Sequence, residues 1–167
     1  MASRGGRKVS VALPPWLTEH GLDLSLYPID SVLKQALSPD DEAFRSGCSL
    51  LKSMCSLGRV EAGIFLLGLL RRYPEDYTRL TLIADSLASF PHSETVEAFA
   101  AELRRVQGSS ATRGYLRRIV DALERFPAEL TEAQMQRLAS DPLVGVRFRQ
   151  RLKALMRWSD HEQADDA

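Results

Sequence analysis

Apolar positions recur along almost the whole chain at spacings of three and four residues, the period of a helix with one buried face. Two-residue alternation is nearly absent, with Leu22-Asp23-Leu24-Ser25-Leu26 as one short exception. The pattern predicts helices near 39–57, 59–73, 75–90, 93–107, 110–126, 131–139 and 142–158, after two shorter ones near 14–20 and 30–37. Start signals support these segments. Ser38-Pro39-Asp40-Asp41 offers an N-cap, a proline at the first helical position and acids in the first turn. Thr131-Glu132-Ala133-Gln134 reads as a capping box, and Asp141-Pro142 repeats the cap-then-proline device. Gly58, Pro74, Pro91, Gly108 and Pro127 supply the stops.

The helical segments resemble one another in order. Leu82–Pro91 (LIADSLASFP) aligns with Arg118–Pro127 (RIVDALERFP) at a shift of 36, pairing Ile83 with Ile119, Asp85 with Asp121, Leu87 with Leu123 and Phe90 with Phe126. The last helix follows at a shift of 32, with Leu155 under Leu123 and Trp158 under Phe126. Backwards, a shift of 33 sets Met54 under Leu87 and Leu57 under Phe90. Val60-Glu61-Ala62 likewise matches Val96-Glu97-Ala98. A period of roughly 32–36 residues with two helices per unit is the mark of an α-solenoid, in which units too small to hold a core bury one by stacking.

The pattern Asp141-Pro142-x-x-x-Val146-Arg147, followed by Leu152 and Ala154-Leu155, resembles the second helix of a HEAT repeat. The likeness runs loosely over 39–158 and best over 131–158; Pro74-Glu75-Asp76 and Gly108-Ser109-Ser110 stand where Asp-Pro would be expected. HEAT, armadillo and other helical-pair families stay open. The resemblance implies an all-α, right-handed superhelix of about four helix pairs, whose surface binds proteins and, in some members, nucleic acid. Within that frame, helix 110–126 should bury Tyr115, Leu116, Ile119, Val120, Ala122, Leu123 and Phe126, with Arg113, Arg117, Asp121 and Glu124 opposite. Ala62–Leu70 is apolar all round and should be buried on more than one side, with neighbours approaching closely at Gly63 and Gly68.

Charge changes the picture more than composition does. The 167 residues carry no formal net charge, so no global field attracts nucleic acid or membrane. Residues 104–158 nevertheless hold eleven Arg and one Lys against five acids, a net of +7. Residues 59–103 are at −3, and 159–167 carry four acids without Lys or Arg. Arginine makes up 18 of 22 basic residues, which suits bidentate recognition of phosphate or carboxylate and equally suits a GC-rich genome. On the last helix Val144, Phe148, Leu152, Leu155 and Met156 form the apolar stripe. Arg149, Lys153 and Arg157 run down the far side, as a terminal repeat facing water requires. Arg147 and Arg151 flank the stripe. With Arg104, Arg105, Arg117 and Arg118 they make the candidate binding residues, a basic ridge for an acidic protein surface or for phosphates. The acidic tail lying back on the ridge is an intramolecular alternative.

Reactive chemistry is sparse. Ser31-Val32-Leu33-Lys34 and Ser49-Leu50-Leu51-Lys52 match a Ser-x-x-Lys pattern without its partner motifs, and are read as coincidence. His20, His92 and His161 stand apart, with no metal spacing, and no glycine-rich phosphate loop occurs. Asp85 and Asp121 recur at one repeat position, where a capping role or an ion pair between repeats is a better reading than catalysis. Cys48 and Cys55, seven apart on one helix face, are separated by about 10 Å and read as buried thiols in a reducing compartment. Pro14 and Pro15 end the apolar run Val9–Leu13 too soon for a signal-peptide core, although the acid-free start leaves a transit peptide open. The expectation is a cytoplasmic, non-catalytic interaction or scaffold module without cofactor or metal: a disordered 1–10, one domain over 11–158, and a disordered 159–167. Nucleic-acid binding by the basic half is the alternative.

Overall fold

Two prolines and a left-handed glycine shape the first element. The computed structural model describes residues 14–165, with side chains through Met156, so the expectations for 1–10 lie outside the described residues. The chain begins with a small antiparallel hairpin, β1 (Leu17–Thr18) and β2 (Gly21–Leu22), in which Leu17 faces Leu22 and Thr18 faces Gly21. This replaces the helix expected over 14–20. Pro14 and Pro15 withhold amide donors, and Gly21 at φ 120° adopts a backbone that other residues rarely take.

Eight helices follow among the described residues: α1 (Ile29–Ala36), α2 (Asp41–Ser56), α3 (Val60–Arg72), α4 (Tyr77–Leu87), α5 (Ser93–Arg105), α6 (Arg113–Arg125), α7 (Ala128–Ser140) and α8 (Val146–Asp165). The expected helices are all there except the first, and their caps differ in an instructive way. Asp40, not Ser38, caps α2, its carboxylate accepting the Ala43 amide at 2.8 Å, while the Ser38 hydroxyl accepts the Asp40 amide. The capping box at Thr131 does not form. Pro127 already ends the preceding turn, so α7 starts at Ala128 and the buried Thr131 hydroxyl donates back to the Pro127 carbonyl at 3.3 Å. Asp141-Pro142 does not open α8 either. Asp141 accepts the Leu143 amide at 2.9 Å within a turn, and the helix begins after Gly145 and runs past Trp158 to Asp165.

Each helix buries one stripe. α1 lies on α2, α2 on α3 and α4, α4 on α3 and α6, α5 on α6 and α7, and α7 on α8. Thus α2, α4 and α6 follow one another as neighbours, and α5 and α7 do the same. Their shared core includes Leu51, Met54, Leu66, Leu80, Ile83, Leu87, Phe99, Leu103, Leu116, Ile119 and Leu123. Positions equated from sequence are buried together: Ile83 with Ile119, Leu87 with Leu123 and Met54, and Phe90 with Phe126. Leu57 departs from that register, at 56% exposure. All seven residues proposed for the inner face of α6 are buried.

Two glycines decide how closely elements approach. A Cβ on Gly47 would stand 2.4 Å from the backbone nitrogen of Ala36, so α1 rests directly on the α2 backbone. A Cβ on Gly63 would strike the Phe90 ring at 2.4 Å. Gly68 corrects the expectation for α3: a Cβ there would meet nothing, and Ile64 is 62% exposed. One side of this apolar helix is therefore open.

Ion pairs at the recurring aspartates join neighbouring helices. Asp85 of α4 accepts from Lys52 of α2 at 2.7 Å and lies 3.8 Å from Arg118 of α6. Asp121 of α6 accepts from Arg151 of α8 at 2.8 Å. Among the described residues no helix is long and apolar enough to cross a membrane.

Candidate anion-binding cleft

The six candidate arginines do not form one ridge. Four are engaged by acids of the same chain. Arg104 donates from Nε to Asp141 at 2.6 Å, bridging α5 to the turn before α8. That bond, followed by the Leu143 amide, holds the Asp141 carboxyl below the usual carboxylate range. Arg105 grips Glu102 with two hydrogen bonds on its own helix, at 2.9 and 2.6 Å. The same Glu102 carboxylate accepts the buried Tyr115 hydroxyl at 2.8 Å. Arg118 faces Asp85.

Arg151 is the most committed of the four. Its Nε and Nη2 donate to the two Glu124 oxygens at 2.8 and 2.5 Å, and Nη2 also donates to Asp121 at 2.8 Å. A planar guanidinium suits this fork. Burial pulls its pKa down, but the hydrogen bonds to Glu124 and Asp121 outweigh burial and raise it. Arg151 therefore straps α8 to α6.

Arg147 remains available, Arg117 is held only loosely by Asp121, and the structure adds a third that the sequence pattern puts on a solvent face. Arg117 is 74% exposed and only 3.9 Å from Asp121, while Arg113 and Arg147 are exposed with no acidic partner among the described residues. All three line one cleft of about 550 Å³, whose walls also include Gly108, Ser109, Ser110, Gly145, Val146, Phe148 and the strap Arg151. The cleft lies between the first turns of α6 and α8.

Those two helix starts carry the electrostatic meaning. Helix N-termini present unpaired amides and a positive dipole end, so acids are favoured in the first turn. Neither α6 nor α8 has one there; α6 opens on Arg113 and α8 places Arg147 second. No side chain caps α6, because the Thr112 hydroxyl instead donates to the Gln107 carbonyl at 2.7 Å and accepts the Ser109 amide at 2.8 Å. Positive ends and guanidinium groups thus converge with no acid in either first turn, and the Asp121 carboxylate near Arg117 is already held by Arg151. Such an arrangement is stabilised by an anion entering from outside.

The sequence signal for Arg113 was the acid-free start of α6 after Gly108-Ser109-Ser110, which helical periodicity alone does not flag. The other reactive or charged side chains take structural places. The Lys52 ammonium is bonded to Asp85, while Ser49 is exposed. Arg149, placed on the solvent side of the wheel, is half-buried with its Nε enclosed. Cys48 and Cys55 are free and buried; burial pushes their thiols up to about 12 and about 11. His92 bonds Glu94 and stacks on Phe90 at 5.1 Å. Among the described residues no group of three or more His, Cys, Asp or Glu side chains is placed to hold a metal ion. No family model, curated protein or solved structure matches this chain.

Proposed function

We propose that the chain is a non-catalytic interaction module of the HEAT-like solenoid type, a right-handed stack of about four helix pairs that docks an acidic surface of another protein at the α6–α8 cleft. The observation that carries this is the convergence of Arg113, Arg117 and Arg147 on two helix N-termini without an acid in either first turn. The succession of α2, α4 and α6, with α5 and α7 beside them, supports the stacked-pair reading. So does the use of Asp85 and Asp121 as straps between successive helices. The reading includes a reducing, cytoplasmic setting, which the two unpaired buried thiols favour.

Nucleic acid is the second reading, because guanidinium groups and helix N-termini suit phosphate as well as carboxylate. One experiment separates the two. The intact chain and its Arg113→Ala/Arg117→Ala/Arg147→Ala variant are titrated with an Asp/Glu-rich peptide and with mixed-sequence DNA and RNA over a range of salt. Peptide binding lost in the variant supports the protein partner. Binding to nucleic acid alone, with a steep salt dependence, transfers the cleft to phosphate. An intact chain that binds neither probe at low salt sinks both.

A further inference from the structure

A second surface lies away from the arginines and has the opposite character. α3 packs on α2 and α4, and α5 packs on α6 and α7, leaving a groove of about 780 Å³ between α3 and α5. Its walls are apolar: Val60, Ile64 and Leu67 from α3, Ala98 and Ala101 from α5, with Phe90 at the base of Gly63. Val60 and Ile64 are 49% and 62% exposed, although they sit on the most apolar helix of the chain. A soluble fold leaves such residues on a groove wall at a cost in free energy, and contiguous exposed apolar surface marks a place where something binds.

The shape of the groove selects a helix. Lining residues run along α3 from Val60 to Arg71, a length of about 17 Å, or three turns. Small residues sit on both walls, Gly68 on one and Ala98 and Ala101 on the other, and space over Gly68 is open. Small side chains let a helix backbone come close while its large apolar residues enter between Ile64 and Leu67.

The rim selects the charge. Glu94, Glu97 and Glu102 stand on the α5 side against Arg71 at the far end of α3. Glu102 is already neutralised by Arg105. Glu97 is exposed with no cation against it among the described residues, and the Ser93 hydroxyl bonded to Glu94 keeps that carboxyl charged at neutral pH. Acids therefore face the occupant beside Val60 and Ile64.

We propose that the α3–α5 groove is a docking site for an amphipathic helix of a partner protein, its apolar stripe seated on Val60, Ile64 and Leu67 and its Lys or Arg flank facing Glu94 and Glu97. This site is independent of the α6–α8 cleft and of the partner argued for it.

The test uses labelled peptides of about 16 residues, with leucines at i, i+3, i+4 and i+7 and either lysine or glutamate flanks, followed by fluorescence anisotropy against the full chain. The lysine peptide binds in the micromolar range and at least about tenfold more tightly than the glutamate peptide. Ile64→Glu, at a position too exposed to affect folding, weakens it by about tenfold or more, and Glu97→Lys erases the preference for lysine. Arg113→Ala/Arg117→Ala/Arg147→Ala leaves this binding unchanged, which separates failure here from failure of the cleft. Absence of binding, or equal binding of both peptides, overturns the proposal. Concentration-dependent dimerisation abolished by Ile64→Glu would assign the groove to a second copy instead. Binding that appears only after residues 1–13 are removed would assign it to the chain's own basic segment.

Discussion

Two arginines one helical turn apart on α8 have opposite expected behaviour. Arg147 lines the cleft and has no acidic partner among the described residues, whereas Arg151 holds Glu124 and Asp121. Truncating Arg151 to Ala removes three charge-assisted hydrogen bonds at 2.5–2.8 Å and leaves two carboxylates of α6 facing each other. Hydrogen bonds to charged groups contribute about 1.5–3 kcal/mol each when enclosed. Here the Arg151 side chain is 36% exposed and its partners 26% and 21% exposed, so solvent screening cuts the figure. Exposed pairs give about 0–1 kcal/mol, and the half-buried fork lies between, at about 1–2 kcal/mol for the whole network. Arg147→Ala touches no such partner and should stay within about 0.5 kcal/mol of the parent.

Urea denaturation followed by circular dichroism resolves a difference of this size, provided both variants unfold with the parent's slope. By thermal melting the Arg151 variant should fall by about 2–8 °C and the Arg147 variant hardly at all. The binding assays should show the reverse order, with Arg147→Ala losing affinity for the anionic probe while its melting is unchanged. A neutral Arg151→Ala would mean that the fork is not formed in solution. An Arg147→Ala variant as unstable as the Arg151 variant would mean that the cleft arginine is structural.

Three further outcomes test the packing. Leu87→Ala and Leu123→Ala empty equivalent sites exposed by 0% and 1%, so each should cost about 2–5 kcal/mol in urea titrations, and a neutral result at either would break the repeat register. Gly47→Ala puts a methyl 2.4 Å from the Ala36 backbone, where overpacking of about 1–3 kcal/mol exceeds the gain of about 1 kcal/mol in helix propensity; the variant should be less stable than the parent, and a stabilised one would show that α1 is not seated there. Cys48 and Cys55, with thiols raised from 9.0 to about 12 and about 11, should resist a disulfide reagent until the chain is unfolded. Because the unfolded thiols ionise first, their stabilising contribution is complete below pH 9.0 and is lost towards pH 11–12. Each thiol then lowers stability by up to about 1.4 kcal/mol per pH unit, and a flat alkaline profile would contradict their burial.

Helical periodicity located every helix of the fold that lies after the hairpin, because an amphipathic stripe is a local property that survives whatever the helix packs against. Local chemistry was less dependable at the ends. Asp141-Pro142 satisfies the rule for a helix start, yet Arg104, 37 residues earlier, takes the Asp141 carboxylate and the helix waits for Val146. Thr131 satisfies the rule for a capping box, but Pro127 had already released the chain into α7. At Trp16-Leu17-Thr18 a short apolar stretch carries no periodicity to arbitrate between helix and hairpin, and the decision falls to Gly21. In each case a contact or a backbone angle outside the window overrode the signal within it.

The candidate site shows the same limit in electrostatic form. Counting charge along 104–158 finds the excess of arginine but cannot tell which arginines are spent, because partners come from other helices: Asp85 for Arg118, Asp121 and Glu124 for Arg151. Once those pairs are assigned, the candidate arginines no longer form a ridge, and Arg113, Arg117 and Arg147 meet where α6 and α8 begin. What distinguishes Arg113 and Arg147 is the missing acid beside them, while Arg117 has only a 3.9 Å contact with Asp121, and only the assembled fold makes this visible. The α3–α5 groove follows the same logic with polarity reversed. Ala62–Leu70 reads as a helix to be buried on several sides, and its length and composition are right for that. Yet α5 turns towards α6 and α7, so Ile64 and Gly68 are left facing open space beside two glutamates. The cleft gathers guanidinium groups and the groove rim gathers carboxylates, a separation of charge on a formally neutral chain that no count of net charge would reveal.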